Sequence, residues 1–187
     1  MDFNNKERLL LKSLILYYKQ GNHLETLLHF LKGKQRRLSL RLLDWLVTNY
    51  SKKHGVVIKD ISSGNTNIEF MYLAYKNHLK SYSKKFFDAI ARRQRIFYKY
   101  NHHVHKIRMS EMNKFYEQND GFVTTIAQLN AFRFFISSGV IDYAKTHLED
   151  IERDMVSSPN KKQDDIKSET NFQTCVTYKV KMTVTFR

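Results

Sequence analysis

The sequence predicts a mainly α-helical, bundle-like domain with a small β element that includes a C-terminal strand. Three observations lead to this fold class. The 187 residues include one proline and six glycines, so few positions interrupt a helix. Apolar residues recur at helical spacing through most of the chain, whereas the last residues alternate between apolar and polar side chains. Hydrophobic residues make up 42% of the chain, which is typical of a protein with a folded core.

The chain divides into three predicted parts. Residues 1–156 form the mainly helical domain, which contains a short β excursion near residues 56–70. Residues 157–171 form a polar linker that includes the only proline, and residues 172–187 form the C-terminal β-strand. The length suits one domain with its own core, followed by a tail.

The first predicted helices cover residues 6–31 and are separated by a break at "QGN" (Gln20–Asn22). The apolar stripe of the second helix consists of leucines at i, i+3, i+4 and i+7: Leu24, Leu27, Leu28 and Leu31. A further helix follows a basic link. Ser39 is a suitable N-cap residue for this helix, and Gly55 is a suitable stop.

Two stretches have the pattern of β-strands. In "VVIKDISSGNTNIEF" (residues 56–70), two runs rich in β-branched residues flank a set of turn-forming residues, which predicts a short hairpin. In the C-terminal stretch, apolar residues alternate with threonine and lysine: Val176, Tyr178, Val180, Met182, Val184 and Phe186. Because a single strand needs a partner for its backbone, we expect it to pair with the Val56–Ile58 run or with another chain.

One long helix is predicted from about Met71 to Tyr100. Its apolar stripe, at roughly 100° per residue, consists of Tyr72, Tyr75, Leu79, Tyr82, Phe86, Ile90 and Phe97. Its basic residues lie mostly on the opposite half: Lys80, Lys84, Lys85, Arg92, Arg95 and Lys99. Arg93 is an exception because the helical spacing places it on the apolar side, and Asp88 lies among the cations.

The pattern of residues 124–155 predicts two helices joined by a Ser-Ser-Gly turn at Gly139. A DNA-reading helix-turn-helix would place the second helix in the major groove. That helix instead carries five acids that would repel phosphates: Asp142, Glu149, Asp150, Glu152 and Asp154. An antiparallel helical hairpin is therefore the favoured interpretation.

Charge is the most unusual property of the chain. Lysine and arginine number 32 against 18 aspartates and glutamates, which gives a formal net charge of +14 and an isoelectric point of about 9.8. Between Lys76 and Arg108 there are ten basic residues and one acid. Such a surplus attracts polyanions, which include nucleic acid, anionic membrane surfaces and acidic proteins.

The functional hypothesis is nonspecific binding of nucleic acid through its phosphates, without reading of the base sequence. The expected contacts are six residues of the long helix and two of the basic link: Lys80, Lys84, Lys85, Arg92, Arg95, Lys99, Arg36 and Arg37. Tyr98 or Tyr100 is available to stack on a base. The alternative is an ordinary solvated helix face whose lysine stems cover apolar neighbours. The sequence leaves both interpretations open.

The sequence shows no catalytic constellation, so we do not expect an enzyme, and no cofactor is expected. Three histidines lie close together (His102, His103 and His105), but zinc requires four ligands at set spacings, and the single cysteine, Cys175, is far along the chain. We interpret these histidines as loop residues. One cysteine also excludes an internal disulfide, and neither a secretory signal nor a membrane span is evident, so a reducing, intracellular compartment is expected.

Three stretches carry a resemblance to a known family: "LRLLDWLVTNYSKKHGVVI", "FMYLAYKNHLKSYSKKFFDAIARRQRI" and "TTIAQLNAFRFFISSGVIDYAKTHLEDIERDM". In this order, and followed by a Val/Thr strand, they resemble a family of small uncharacterised proteins of large nucleocytoplasmic DNA viruses, of the giant-virus and iridovirus-like kind. The resemblance covers most of Leu40–Met155.

The resemblance implies a viral protein that acts in the host cytoplasm, in a virus factory or in the virion. It also adds a second functional hypothesis, a minor virion structural or assembly protein. In that role the basic face would meet acidic partners, and the C-terminal strand would add to the sheet of a virion protein or of a second copy.

Overall fold

A computed structural model describes residues 3–31, 38–60, 67–116 and 120–158. The fold is mainly α-helical with two small antiparallel sheets, which confirms the predicted fold class. The predicted contacts Arg36 and Arg37, most of the linker and the C-terminal strand lie outside the described residues. In the part of the chain that the structure describes, no helix has the length and apolarity needed to cross a bilayer.

The two N-terminal helices are α1 (Asn5–Tyr18) and α2 (His23–Leu31). Helix α1 begins with a capping box in which the Asn4 side chain accepts from the Glu7 amide and the Glu7 carboxylate accepts from the Asn4 amide. The chain breaks between the helices at Gly21, whose φ of 50° suits glycine. The predicted pair of helices and the break at Gln20–Asn22 are therefore confirmed.

The next helical stretch comprises α3 (Leu40–Trp45), a π-helical turn (Leu46–Tyr50) and α4 (Ser51–His54). Both predicted ends are confirmed. The Ser39 hydroxyl accepts from the Leu42 amide, and Gly55 ends the stretch in the left-handed conformation with φ 62°. The predicted hairpin follows as β1 (Val57–Asp60) and β2 (Asn67–Phe70), paired antiparallel.

The prediction of one helix from Met71 to Tyr100 is wrong. Helix α5 (Met71–Tyr82) ends before Ser83, which has a φ of 59°. Residues 83–94, which we call the basic loop, form turns without a helix. Strand β3 (Arg95–Lys99) follows. The cations of this region therefore do not share a helix face.

The cause of this error is a sheet whose other strands come from later parts of the chain. Strand β3 lies between β4 (Val104–Lys106) and β5 (Gly121–Thr125), and both neighbours run antiparallel to it. The three central residues of β3 are fully buried: Ile96, Phe97 and Tyr98. A central strand buries both of its faces, whereas the predicted helix would have buried one. Gly121 is required in β5 because a Cβ atom there would lie 2.4 Å from the Tyr98 carbonyl oxygen.

The C-terminal part consists of α6 (Met112–Tyr116), α7 (Ile126–Ser137), α8 (Val140–Thr146) and α9 (Leu148–Ser157). Helix α7 is buried on most sides and packs against α1, α2 and α8, so it forms the centre of the core. The Ser-Ser-Gly turn is present, with Gly139 at φ 72°. The second helix of the predicted pair is divided in two at His147.

Candidate anion-binding cavity

A cavity of about 660 Å³ opens where the basic loop meets α1, β4 and the junction of β5 with α7. Its basic lining residues come from two parts of the chain: Lys84, Lys85, Arg92, Arg93 and Lys106. Two carboxylates, Glu7 and Asp88, also line it. Its apolar lining consists of Phe86, Ile90, Ala91, Ile96, Ile126 and Ala127. The cavity therefore combines an apolar wall with an excess of positive charge.

Helix α7 holds the basic loop in place, although the loop has no regular structure. The Asn130 side-chain amide donates to the Phe86 carbonyl at 2.9 Å, and the Gln128 amide donates to the Ala89 carbonyl at 2.9 Å. The Asp88 amide donates to the Ala127 carbonyl at 3.2 Å. Asn130 and Gln128 are buried, so these bonds are protected from competing water. The loop is thus pre-positioned beside the cavity.

One cation of the cavity has its charge compensated within the protein. The Lys106 ammonium lies 2.7 Å from a Glu7 carboxylate oxygen, and the Glu7 side chain is only 5% exposed. Burial would by itself raise the pKa of Glu7. The hydrogen bond from Lys106, with that from the Asn4 amide and the charge of Lys85, instead holds this pKa below its usual value. Glu7 is therefore ionised at neutral pH and closes one side of the cavity with Lys106.

The other four cations have no such partner. Among the described residues, none of Lys84, Lys85, Arg92 and Arg93 forms a salt bridge within 4.0 Å, and all four are exposed. Asp88 instead shapes the loop, since its carboxylate accepts from the Ile90 amide at 2.9 Å. The cavity therefore keeps four exposed cations that form no salt bridge with a described carboxylate.

The beginning of α7 adds a further positive contribution. Thr125 caps this helix, and Ile126 and Ala127 in its first turn line the cavity. The first amide groups of a helix have no partner inside the helix, and the aligned peptide dipoles place partial positive charge there. An anion in the cavity would thus meet side-chain cations on one side and the start of a helix on another.

The structure brings together three of the eight predicted contacts, Lys84, Lys85 and Arg92. The remaining described ones lie elsewhere. Lys80 is exposed on α5, and Arg95 begins β3, where its Nε donates to the Arg92 carbonyl at 3.1 Å. Lys99 lies 2.8 Å from the Asp120 carboxylate, so its charge is compensated.

Of the two tyrosines proposed for stacking, Tyr98 is fully buried, whereas Tyr100 is 38% exposed. Burial raises the pKa of Tyr98 to about 12, and its hydroxyl lies 2.8 Å from Nδ1 of His102. Tyr98 is therefore a core residue and cannot stack on a base. Within the described ranges, no three His, Cys, Asp or Glu side chains come together in a way that could hold a metal ion.

The sequence does not identify two of the basic residues of the cavity, Arg93 and Lys106. The predicted helix places Arg93 on the apolar side, whereas the basic loop brings it to the cavity with Arg92. Lys106 reaches the cavity only through the pairing of β4 with β3. The local charge surplus between Lys76 and Arg108 was the only sequence signal that included both.

Comparisons with known proteins give a family but no activity. A model of a family of unknown function, DUF7197, matches residues 1–181. An uncharacterized protein, L507, of Acanthamoeba polyphaga mimivirus is 32% identical over 139 residues, which are 74% of this chain and 49% of the relative. The chain thus spans about half the length of that relative, and no solved structure matches.

These matches support the giant-virus setting that the resemblance implied, since the relative is a mimivirus protein. They also extend the likeness, because the family match begins at residue 1 and not at Leu40. The chain therefore belongs to the DUF7197 family of unknown function.

Proposed function

We propose that this protein binds nucleic acid through its phosphates, electrostatically and without reading the base sequence. The observation that carries the proposal is a group of four exposed cations around one cavity, none of which forms a salt bridge among the described residues: Lys84, Lys85, Arg92 and Arg93. The formal net charge of +14 would add a weaker attraction that brings polyanions to the surface. The binding face differs from the one first predicted, because a loop and not a helix presents the cations.

The expected salt dependence follows from the number of cations. If four of them neutralise phosphates of a single strand, the logarithm of the association constant should fall with a slope of about −3 against the logarithm of the salt concentration. Each cation that is removed should flatten this slope by about 0.7. Affinity should change little between oligonucleotides of different sequence, since phosphate contacts carry no sequence information.

The test is a fluorescence-anisotropy titration of labelled single-stranded and duplex oligonucleotides over a range of KCl concentrations. The variant Lys84→Gln/Lys85→Gln removes two cavity cations, and Lys12→Gln/Lys145→Gln removes two exposed lysines elsewhere. The two variants have the same net charge. We expect the first to flatten the single-strand slope by about 1.4 and the second to leave it nearly unchanged. Equal effects of the two variants, or no binding at low salt, would contradict the proposal.

A second candidate function, in virion assembly, is favoured by an exposed apolar face on the hairpin. Val57 pairs with Phe70, and Ile68 lies two residues before Phe70, so the three side chains share one face of the sheet. Val57 is 47% exposed, Phe70 is 53% exposed and Ile68 is 74% exposed. Such a face is typical of a protein-protein contact.

Deletion of residues 172–187 separates the two candidate roles. Loss of incorporation into virus particles, with unchanged nucleic-acid affinity, would support an assembly role. Unchanged incorporation together with unchanged affinity would argue against a contribution of the C-terminal strand to assembly.

A further inference from the structure

We propose that the cavity binds a single nucleotide that carries a phosphomonoester, either a free mononucleotide or the phosphorylated end of a single strand. This inference rests on the proposed function and narrows its ligand. The phosphate would lie among the cations of the basic loop, and the base and sugar would lie against the apolar wall. Three properties of the cavity lead to this ligand.

The first property is the shape of the site. A volume of about 660 Å³ falls within the range of small-molecule sites, on the order of 300–1,000 Å³. A duplex carries its phosphates on the outside of a rod much wider than such a cavity. A single nucleotide can enter, because nothing holds it in a stack. The site therefore favours free nucleotides and strand ends over the interior of a duplex.

The second property is the apolar wall. Ile90, Ile96 and Ile126 line the cavity together with Phe86. The Phe86 ring is 5% exposed, and the ammonium groups of Lys6 and Lys85 each lie 5.2 Å from its centroid. A base would thus contact mainly aliphatic side chains, which read no hydrogen-bonding edge. This wall gives a reason for binding a nucleoside in addition to a phosphate, and it predicts little discrimination among bases.

The third property is the amount of positive charge. Four exposed cations form no salt bridge among the described residues, and the first turn of α7 borders the same space: Lys84, Lys85, Arg92 and Arg93. A backbone phosphodiester carries one negative charge, whereas a phosphomonoester carries about −1.5 to −2 at pH 7. It also presents three oxygens to donors, which matches a site with cations on more than one side. The terminal phosphate is therefore the better complement.

Isothermal titration calorimetry and competition test this ligand on the full chain. The small probes are AMP, adenosine, which lacks the phosphate, inorganic phosphate, which lacks the nucleoside, and laurate, which joins an apolar chain to a different anion. The other probes are two (dT)10 strands that differ only in a 5′-phosphate. We expect saturable 1:1 binding of AMP, with adenosine and inorganic phosphate each at least about tenfold weaker. We also expect the 5′-phosphorylated strand to bind about tenfold more tightly than the 5′-hydroxyl strand, and AMP to displace it.

Two variants locate the binding in the cavity. Lys84→Gln/Lys85→Gln should weaken AMP binding about tenfold or more, whereas Lys12→Gln/Lys145→Gln should not change it. Ala91→Trp fills the cavity without altering charge, because Ala91 lines it from the basic loop. This variant should lose AMP binding and the preference for the 5′-phosphate. Thermal unfolding and circular dichroism confirm that each variant is folded.

Each outcome has a distinct meaning. If AMP binds but the 5′-phosphate gives no preference, the inference is supported and the ligand is a free mononucleotide. If the 5′-phosphate gives a preference but AMP binds weakly, the inference is supported and the ligand is the phosphorylated end of a strand. Absence of both effects overturns the inference but leaves the proposed function standing if the 5′-hydroxyl strand still binds. Without a 5′-phosphate preference, the inference is also overturned by AMP binding no stronger than that of inorganic phosphate, or by tighter binding of laurate than of AMP.

Discussion

The pairing of Glu7 with Lys106 makes a stability prediction that depends on pH. The substitution Lys106→Met keeps most of the length of the side chain and removes its charge. It leaves the Glu7 carboxylate, which is 5% exposed, without its nearest cation. Because Glu7 also caps α1 and borders the cavity, this substitution tests whether the wall of the site depends on an internal ion pair.

The magnitude can be worked from the contacts. Removal of one partner from a buried ion pair typically costs about 3–5 kcal/mol. Here the Lys106 side chain is 24% exposed, and Glu7 keeps the hydrogen bond from the Asn4 amide at 3.0 Å, so part of the stabilisation remains. We therefore expect the free energy of unfolding to fall by about 2–3 kcal/mol at pH 7.

The loss of stability caused by Lys106→Met should be smaller in acid. In the wild type the pKa of Glu7 is lowered, so the stabilisation from its ionised form is present at neutral pH and is lost as the pH falls through that pKa. In the variant, burial is no longer opposed by Lys106 and should raise the pKa of Glu7 above its unfolded value. Glu7 then takes up a proton on folding, so the difference between variant and wild type should be less than half as large at pH 4 as at pH 7.

Urea unfolding of both proteins at pH 4 and pH 7, followed by the fluorescence of the single tryptophan, measures the two differences. Glu7→Gln is the companion variant because it removes the carboxylate. Its cost should shrink in acid only as the wild type loses the stabilisation from ionised Glu7, and therefore by less than the cost of Lys106→Met. A cost of Lys106→Met below about 1 kcal/mol at pH 7, or an equal cost at both pH values, would refute the reasoning.

Two other side chains are predicted to hold the fold around the site. Asn130→Ala leaves the Phe86 carbonyl without its donor and does not change the charge, so we expect the free energy of unfolding to fall by about 1–3 kcal/mol. We also expect faster amide exchange in residues 84–91 and weaker AMP binding. Asp154→Asn weakens the contact of α9 with Trp45, whose Nε1 donates to Asp154 at 3.1 Å. For Asp154→Asn, the free energy of unfolding, measured with urea, should fall by about 1–3 kcal/mol at pH 7. The pKa of Asp154 is lowered, chiefly by a hydrogen bond from Lys53, so the wild-type advantage should vanish as the pH falls through that pKa.

Local sequence signals predicted the elements whose ends are determined locally. The break before α2, the cap at Ser39 and the stop at Gly55 each depend on a residue and its immediate neighbours. The hairpin of β1 and β2 was predictable for the same reason, since its strands lie close together in the chain. These elements agree with the structure because little distant packing is needed to specify them.

The central region was not predictable in this way. Residues 71–100 have helical periodicity throughout, yet β3 forms because Ile96, Phe97 and Tyr98 pair with strands that follow later in the chain. The buried amides of α7 then hold the basic loop in a shape that its own sequence does not encode. The charge surplus identified the correct segment, but the positions of Arg93 and Lys106 at the cavity depend on the tertiary structure.

The central claim is that the cavity, and not the basic surface as a whole, is where nucleic acid binds. Titration of ¹⁵N-labelled protein with 5′-phosphorylated (dT)10, followed by two-dimensional NMR at moderate salt, measures this directly. We predict that the amide shifts concentrate in residues 84–94, at Lys106 and at Ile126 and Ala127. Shifts spread evenly over exposed lysines, or centred on the hairpin of residues 57–70, would contradict the claim.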